Sequence, residues 1–204
     1  MQVNLKAEHA LTEVKAATGK SWEEWFSALD KRGGIAQGRR DIGTFLYAEC
    51  KLDPWWCATI NVQYEAARGV AEKDGRPKGY MICVTKTIAA AVDKAYEAWA
   101  TSEGLNQWFS KKNKAEVADG GRYSNDDGET GLFKRVRKNK GLRFTWENPS
   151  HTSPTIVDVV FQDKGKGETG VMITHDRIQK REEADGLREG WGQALDRLKT
   201  WLEA

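Results

Sequence analysis

Apart from its carboxylates, this 204-residue sequence offers few side chains that do chemistry: three histidines and three cysteines. His175 is the most suggestive of them. Strand-like alternation over Val171 to Arg177 turns Val171, Ile173 and His175 to one face, so the imidazole points inward at the end of an apolar strand. A general acid or base there needs a nucleophile or a carboxylate within reach. By parity, however, Asp158 and Asp176 lie on the opposite strand faces. His175 is therefore expected to be neutral and hydrogen-bonded. His9 falls in a predicted helix and His151 in a Pro/Ser loop. Cys50, Cys57 and Cys83 are odd in number, scattered, and without paired ligand spacing, which fits reduced structural thiols rather than disulfides or a zinc site. "GKGET" at 165 to 169 reads as a hairpin turn, since no Gly-Lys-Ser/Thr precedes a helix. No catalytic residue, metal or cofactor is expected from these patterns.

Composition removes further classes. The chain is 39% hydrophobic and 30% charged with a net charge of +2. Lys and Arg number 12 against 11 Asp and Glu in residues 1 to 78, and 20 against 19 in the rest. Neither half carries a nucleic-acid binder's excess, and the basic runs at Lys111, Lys112, Lys114 and at Lys134 to Asn139 read as solvated faces. No run of about 18 apolar residues and no signal-peptide pattern is present, which implies no membrane span and a cytoplasmic location.

The elements that would position a site divide near "EKDGRPKG", a charged Gly/Pro linker, into a helical domain at 1–75 and a second domain at 79–204. In the first, a short helix is expected over Leu5 to Ala17. Ser21 and Glu24 have capping-box spacing, so a helix starts at Trp22 and buries Trp22, Trp25, Phe26 and Leu29. A third helix runs from Arg39 to Cys50. The fourth has Asp53 as N-cap and Pro54 at its first position, and ends at Gly69. It carries two apolar stripes, Trp55–Ala58–Thr59–Val62–Ala66 and Trp56–Ile60–Tyr64–Ala67, which predicts cover from two directions.

In the second domain, Gly79 to Ile88 opens as a strand. Two short helices follow, burying Val92, Tyr96 and Trp99, then Leu105, Trp108 and Phe109. Six strand-length segments come next, around Glu116 and over Arg122–Asn125, Leu132–Arg137, Leu142–Trp146, Ile156–Phe161 and Val171–Arg177. A long helix, Glu182 to Glu203, sets Leu187, Trp191, Ala194, Leu195, Leu198, Trp201 and Leu202 within one stripe facing the sheet. The inward strand residues are Phe144 and Trp146, then Val157, Val159 and Phe161, then Val171, Ile173 and His175.

"KTIAAAVDKAYEAWATSEGLNQWF", "LRFTWE", "TGVMITHD" and "REGWGQALDRLKTWLE" carry a resemblance, over residues 80 to 203, to the SRPBCC or START-like superfamily. The branch is the one similar to the C-terminal domain of activators of the heat-shock-protein-90 ATPase. The resemblance implies an α+β helix-grip (Bet v 1-like) fold, with a curved antiparallel sheet of about seven strands around the C-terminal helix, preceded here by a small helical bundle. It also implies an apolar cavity between sheet and helix, which large side chains could instead fill. The residues expected at such a ligand site are Trp108, Phe144, Trp146, Val159, Phe161, Ile173, His175, Trp191 and Leu195. One departure is "SKKNKAEVADGG" in place of a glycine-rich apolar insert after Trp108 and Phe109, which makes the mouth of any cavity more polar. In the first half, Gly19, Lys20, Ser21 and Trp22, then Trp55, Trp56, Tyr64, Glu65, Arg68 and Gly69, resemble a small helical bacterial domain of unknown function.

Three functions follow as expectations. One is a non-enzymatic protein binding a small hydrophobic or aromatic molecule. The second is a protein-interaction or chaperone-associated module, with a protein partner or a homodimer. The third is a cyclase- or hydrolase-type enzyme using His175.

Overall fold

The computed structural model describes residues 11–204, and the chain divides there into two compact units, 11–80 and 81–204. His9 and the start of the first expected helix lie outside the described residues. A 3-10 turn, Leu11–Glu13, leads into α1 (Val14–Thr18), which buries Val14.

The first unit continues with α2 (Trp22–Lys31), α3 (Gly38–Thr44) and α4 (Pro54–Ala67). Local chemistry sets their starts. The Ser21 hydroxyl accepts from Glu24 N at 3.3 Å while Ser21 N donates to Glu24 Oε2 at 2.7 Å, the reciprocal capping box. Asp53 Oδ1 accepts from Trp55 N at 2.8 Å, and Pro54 opens α4 without wasting a backbone donor. The third helix does not run through to Cys50 as one α-helix, because Phe45–Glu49 relaxes into a π turn.

α4 is buried almost all round. Trp56, Cys57, Ile60 and Tyr64 join Val14, Trp25, Leu29, Ile42 and Leu46 in one core, with Trp22 and Phe26 only half-buried at its rim. Trp55 packs on Tyr80, ring centroids 5.9 Å apart, so each tryptophan of the pair has its own contact. Even the polar side is enclosed: Glu65 is buried and accepts from Arg39 Nε at 3.0 Å. Ala71–Pro77 forms a tight turn, closed by Glu72 N donating to Arg76 O at 2.7 Å.

The second unit holds β1 (Tyr80–Ile88), α5 (Val92–Ala100), α6 (Ser102–Trp108), β2 (Lys114–Ala115), β3 (Arg122–Ser124), β4 (Thr130–Arg137), β5 (Gly141–Trp146), β6 (Thr155–Gly165), β7 (Glu168–Ile178) and α7 (Arg181–Leu202). The seven strands form one sheet in the order β1-β7-β6-β5-β4-β3-β2, antiparallel from β2 through β7. β1 lies at one edge and β2 at the other, so α5 and α6 carry the chain across the sheet. α7 then returns over the inner face.

Alternation places Val157, Val159, Phe161, Val171, Ile173 and His175 inside. Asp158 stays outside, paired with Arg143 and, at 3.4 Å, Arg135. Strict parity would send Arg135 inward with Phe133. A register shift between them, with Phe133 opposite Phe144 and Arg135 opposite Arg143, turns the arginine out. The stripe of α7 is shorter than its sequence pattern: Leu187, Trp191, Ala194, Leu195 and Leu198 are buried, but Trp201, in the last turn, is 37% exposed.

Candidate functional site

Between the inner sheet face and α5, α6 and α7 lies an aromatic cluster. Trp191 of α7 is its hub. Its ring stands 6.0 Å from Trp99, 5.6 Å from Phe109 and 5.2 Å from Trp146. Tyr123 of β3, Phe133 of β4, and Phe144 and Trp146 of β5 close the other side, with Tyr123 at 5.4 Å from Phe144 and 6.1 Å from Trp146. These rings leave a cavity of about 20 Å³ bordered by Trp99, Leu105, Phe109, Asn113, Tyr123, Phe133, Leu142, Phe144, Trp146 and Trp191. That is room for about one water molecule and far below the several hundred Å³ of a preformed ligand pocket.

Of the residues expected at the site, Phe144, Trp146 and Trp191 border this cavity. Trp108, Val159, Phe161, Ile173, His175 and Leu195 are buried in the surrounding core. Trp108 is held by its own bond, Nε1 donating to Ala98 O at 2.9 Å, and Arg197 of α7 donates to Trp108 O at 2.8 Å, which ties α6 to α7. Sequence reasoning passed over Tyr123, because β3 is only three residues long and shows too little alternation to mark a face, and Phe133, because the register shift in β4 breaks its alternation; Leu142 shares the parity of Phe144 and Trp146 and was within reach of the pattern. A signal was present in Gly131, opposite Tyr123 in the ladder. A Cβ there would lie 2.2 Å from the Tyr123 ring and 2.0 Å from Thr145 O, so only glycine lets the tyrosine lie across β4.

His175 is fully buried, with both ring nitrogens engaged. Trp191 Nε1, which can only donate, bonds Nδ1 at 3.0 Å, so in the neutral ring the proton sits on Nε2. Nε2 is 2.6 Å from Thr155 Oγ1, whose own hydroxyl donates to Trp146 O at 3.2 Å. Donors thus run in one direction from α7 through β7 and β6 to β5. Burial pushes the imidazole pKa down to about 3, with the nearby His151 acting in the same sense. A ring so occupied positions Trp191 and cannot reach a substrate without breaking the chain. Among the described residues no cluster of His, Cys, Asp and Glu could hold a metal ion.

On the outer side of Tyr123 is a groove of about 730 Å³, bordered by Ser102, Lys114 to Glu116, Arg122 to Ser124, Thr130 to Leu132 and Glu147. The polar segment after Phe109 supplies its lip. Asn113 pins that segment, its Nδ2 donating to Ser110 O at 2.7 Å and to Asn106 Oδ1 at 3.0 Å, and Ala115 N donates to Ser102 Oγ at 3.0 Å. Tyr123 borders both groove and cavity. Its phenol pKa is raised well above the usual value, first by burial and then by Glu129 and Glu147, so it stays a neutral donor.

The model of the family described as Activator of Hsp90 ATPase homolog 1-like protein matches residues 89–203. The chain belongs to this family. No curated protein matches it. Solved structures resemble this domain in fold. CalU16 from Micromonospora echinospora is 20% identical, with a TM-score of 0.54 over 60% of this chain and 75% of its own. An HSP90 activator from Plasmodium falciparum is 17% identical, with a TM-score of 0.54 over 61% and 97%. The Aha1 dimer from Colwellia psychrerythraea is 21% identical, with a TM-score of 0.54 over 60% and 96%. In this activator-like family domain the helix-grip order of elements is what the likeness establishes. No helix among the described residues is long and apolar enough to cross a membrane.

Proposed function

We propose that the activator-like domain is a non-enzymatic binder of a small aromatic or hydrophobic molecule, held among Phe109, Tyr123, Phe144, Trp146 and Trp191. The observation that carries this reading is that Tyr123 borders both the outer groove and the aromatic cavity. A guest that enters from the groove would meet Tyr123 first, and aromatic walls supply burial and stacking in any orientation of the guest. The His175 chain supports binding over catalysis, since the imidazole is committed to Trp191 and Thr155. Native mass spectrometry of freshly purified protein, with a titration of the apolar fluorophore N-phenyl-1-naphthylamine, tests the reading. A small adduct lost on denaturation, or saturable one-site binding with energy transfer from tryptophan, supports it. No adduct and no dye binding by the folded protein would sink it.

A second reading is protein interaction through the outer sheet face. Met81, Val160 and Met172 are exposed there, with Val160 opposite Met172 in the ladder, and a shallow depression of about 430 Å³ lies beside them. Sedimentation that shows a concentration-dependent homodimer, abolished by Val160→Glu with Met172→Glu, would favour this reading.

A further inference from the structure

Three buried indoles of this protein give their N–H to a named acceptor. Trp25 Nε1 donates to Thr18 Oγ1 at 2.8 Å, Trp108 to Ala98 O at 2.9 Å and Trp191 to His175 at 3.0 Å. Three polar groups around the aromatic cavity break this pattern. Trp99 Nε1, Tyr123 Oη and Trp146 Nε1 are each buried without a hydrogen-bond partner, in residues only 4%, 7% and 1% exposed. All three residues border the same cavity. An unmet buried donor is costly, so proteins seldom gather three in one place. One water fits the volume, but its two lone pairs can accept from only two of the three.

We infer that the guest of this cavity is a flat aromatic molecule bearing neutral hydrogen-bond acceptors, such as ring carbonyls, which receive the N–H groups of Trp99 and Trp146 and the hydroxyl of Tyr123. This inference rests on the binding reading above and adds the chemistry that selects the guest. Two of the three groups can only donate, and the third, a phenol shielded from ionisation, donates as readily. Three unmet donors recognise oxygen acceptors and gain nothing from a plain hydrocarbon. An anion is disfavoured, because Glu129 and Glu147 act on Tyr123 from nearby. Selection therefore works like any site built around unpaired donors: a guest that satisfies them gains a full hydrogen bond, and its hydrocarbon analogue leaves them orphaned.

Three probes built on one tricyclic ring system separate the possibilities: fluorene without an acceptor, 9-fluorenone with one neutral carbonyl, and fluorene-1-carboxylate with a charged group on the ring edge. Affinities are read by tryptophan quenching on the full chain, and the indole N–H resonances are followed by ¹⁵N–¹H NMR. The expected result is fluorenone bound about tenfold or more tighter than both others. Its carbonyl should move the indole N–H proton of Trp99 or Trp146 downfield beyond the ring-current shift that bound fluorene produces. Tyr123→Phe, which keeps the ring, should erase part of that advantage; if the variant folds poorly, the indole shifts in the unaltered protein still decide. Equal binding of fluorene and fluorenone with the same indole N–H shifts would overturn the donor assignment and leave the binding reading standing. Tightest binding by the carboxylate would overturn the neutral-acceptor assignment. No binding of any probe, together with no N-phenyl-1-naphthylamine binding, would remove the binding reading and this inference together.

Discussion

His175 joins the sheet to α7 by a hydrogen bond from Trp191 Nε1 to Nδ1 that exists only while its ring is neutral. Protonation would put a second donor against Trp191 Nε1. The folded ring resists protonation down to about pH 3, whereas an unfolded histidine takes up a proton near pH 6.5. Below pH 6.5 the unfolded chain therefore binds a proton that the folded chain refuses. Stability is full above that pH and declines toward pH 3, by roughly 4 kcal/mol if the whole shift is expressed. His151, whose pKa is also lowered by burial, adds to the same slope. His175→Gln can still accept from Trp191 and donate to Thr155. It should fold at pH 7 with a loss of about 1 kcal/mol, and should lose less additional stability than the wild type between pH 7 and pH 4. Urea denaturation at both pH values checks this; an unchanged slope for the variant would mean that the imidazole is not the group responsible. The same variant separates binder from catalyst, because a general acid or base would lose about 10²–10⁴ in rate while a structural imidazole leaves binding intact.

Among the elements, β4 depends on one glycine and α4 on one cap. Gly131→Ala would drive a methyl into Thr145 O and the Tyr123 ring, and the resulting shift should cost about 3 kcal/mol. Thermal melting should register it together with a changed near-ultraviolet aromatic signal, whereas Gly192→Ala on α7, with open space around its Cβ position, should be neutral or stabilising. A Gly131→Ala protein with wild-type melting would refute the close approach of Tyr123. At α4, Asp53→Ala removes the acceptor for Trp55 N and should cost about 1 kcal/mol in chemical denaturation, with Asp53→Asn recovering most of it.

At the scale of the whole molecule, the sheet, α7 and the aromatic cluster all come from residues after 79. We expect residues 79–204 produced alone to melt in one cooperative transition by calorimetry; a molten fragment would show that the grip is not self-sufficient. The helical unit should be more sensitive to where it is cut. A fragment ending at residue 75 loses Tyr80 from Trp55 and Lys78 from the buried Glu65, so it should aggregate or lack cooperativity more than one ending at residue 80.

What the sequence by itself determined was local or periodic. The capping box at Ser21 and Glu24, the Asp53–Pro54 start, seven strands and the long last helix follow from chemistry that neighbouring residues carry, and the inward set on β6 and β7 follows from a period of two. Residues marked by resemblance in the first half proved to be ties within the bundle: Tyr64 donates to Asp30 at 2.5 Å, Arg68 pairs with the same carboxylate, and Lys20 sits over the Trp25 ring. Only the tertiary structure decided the rest, because it depends on distances between segments far apart in the chain. Periodicity can say that Trp146 and Trp191 face inward, but not how much space their rings leave. That Arg135 escapes the core by a register shift, that Tyr123 lies over Gly131 and borders both groove and cavity, and that three residues with unmet donors border about 20 Å³ are outcomes of how strands and helices close on one another.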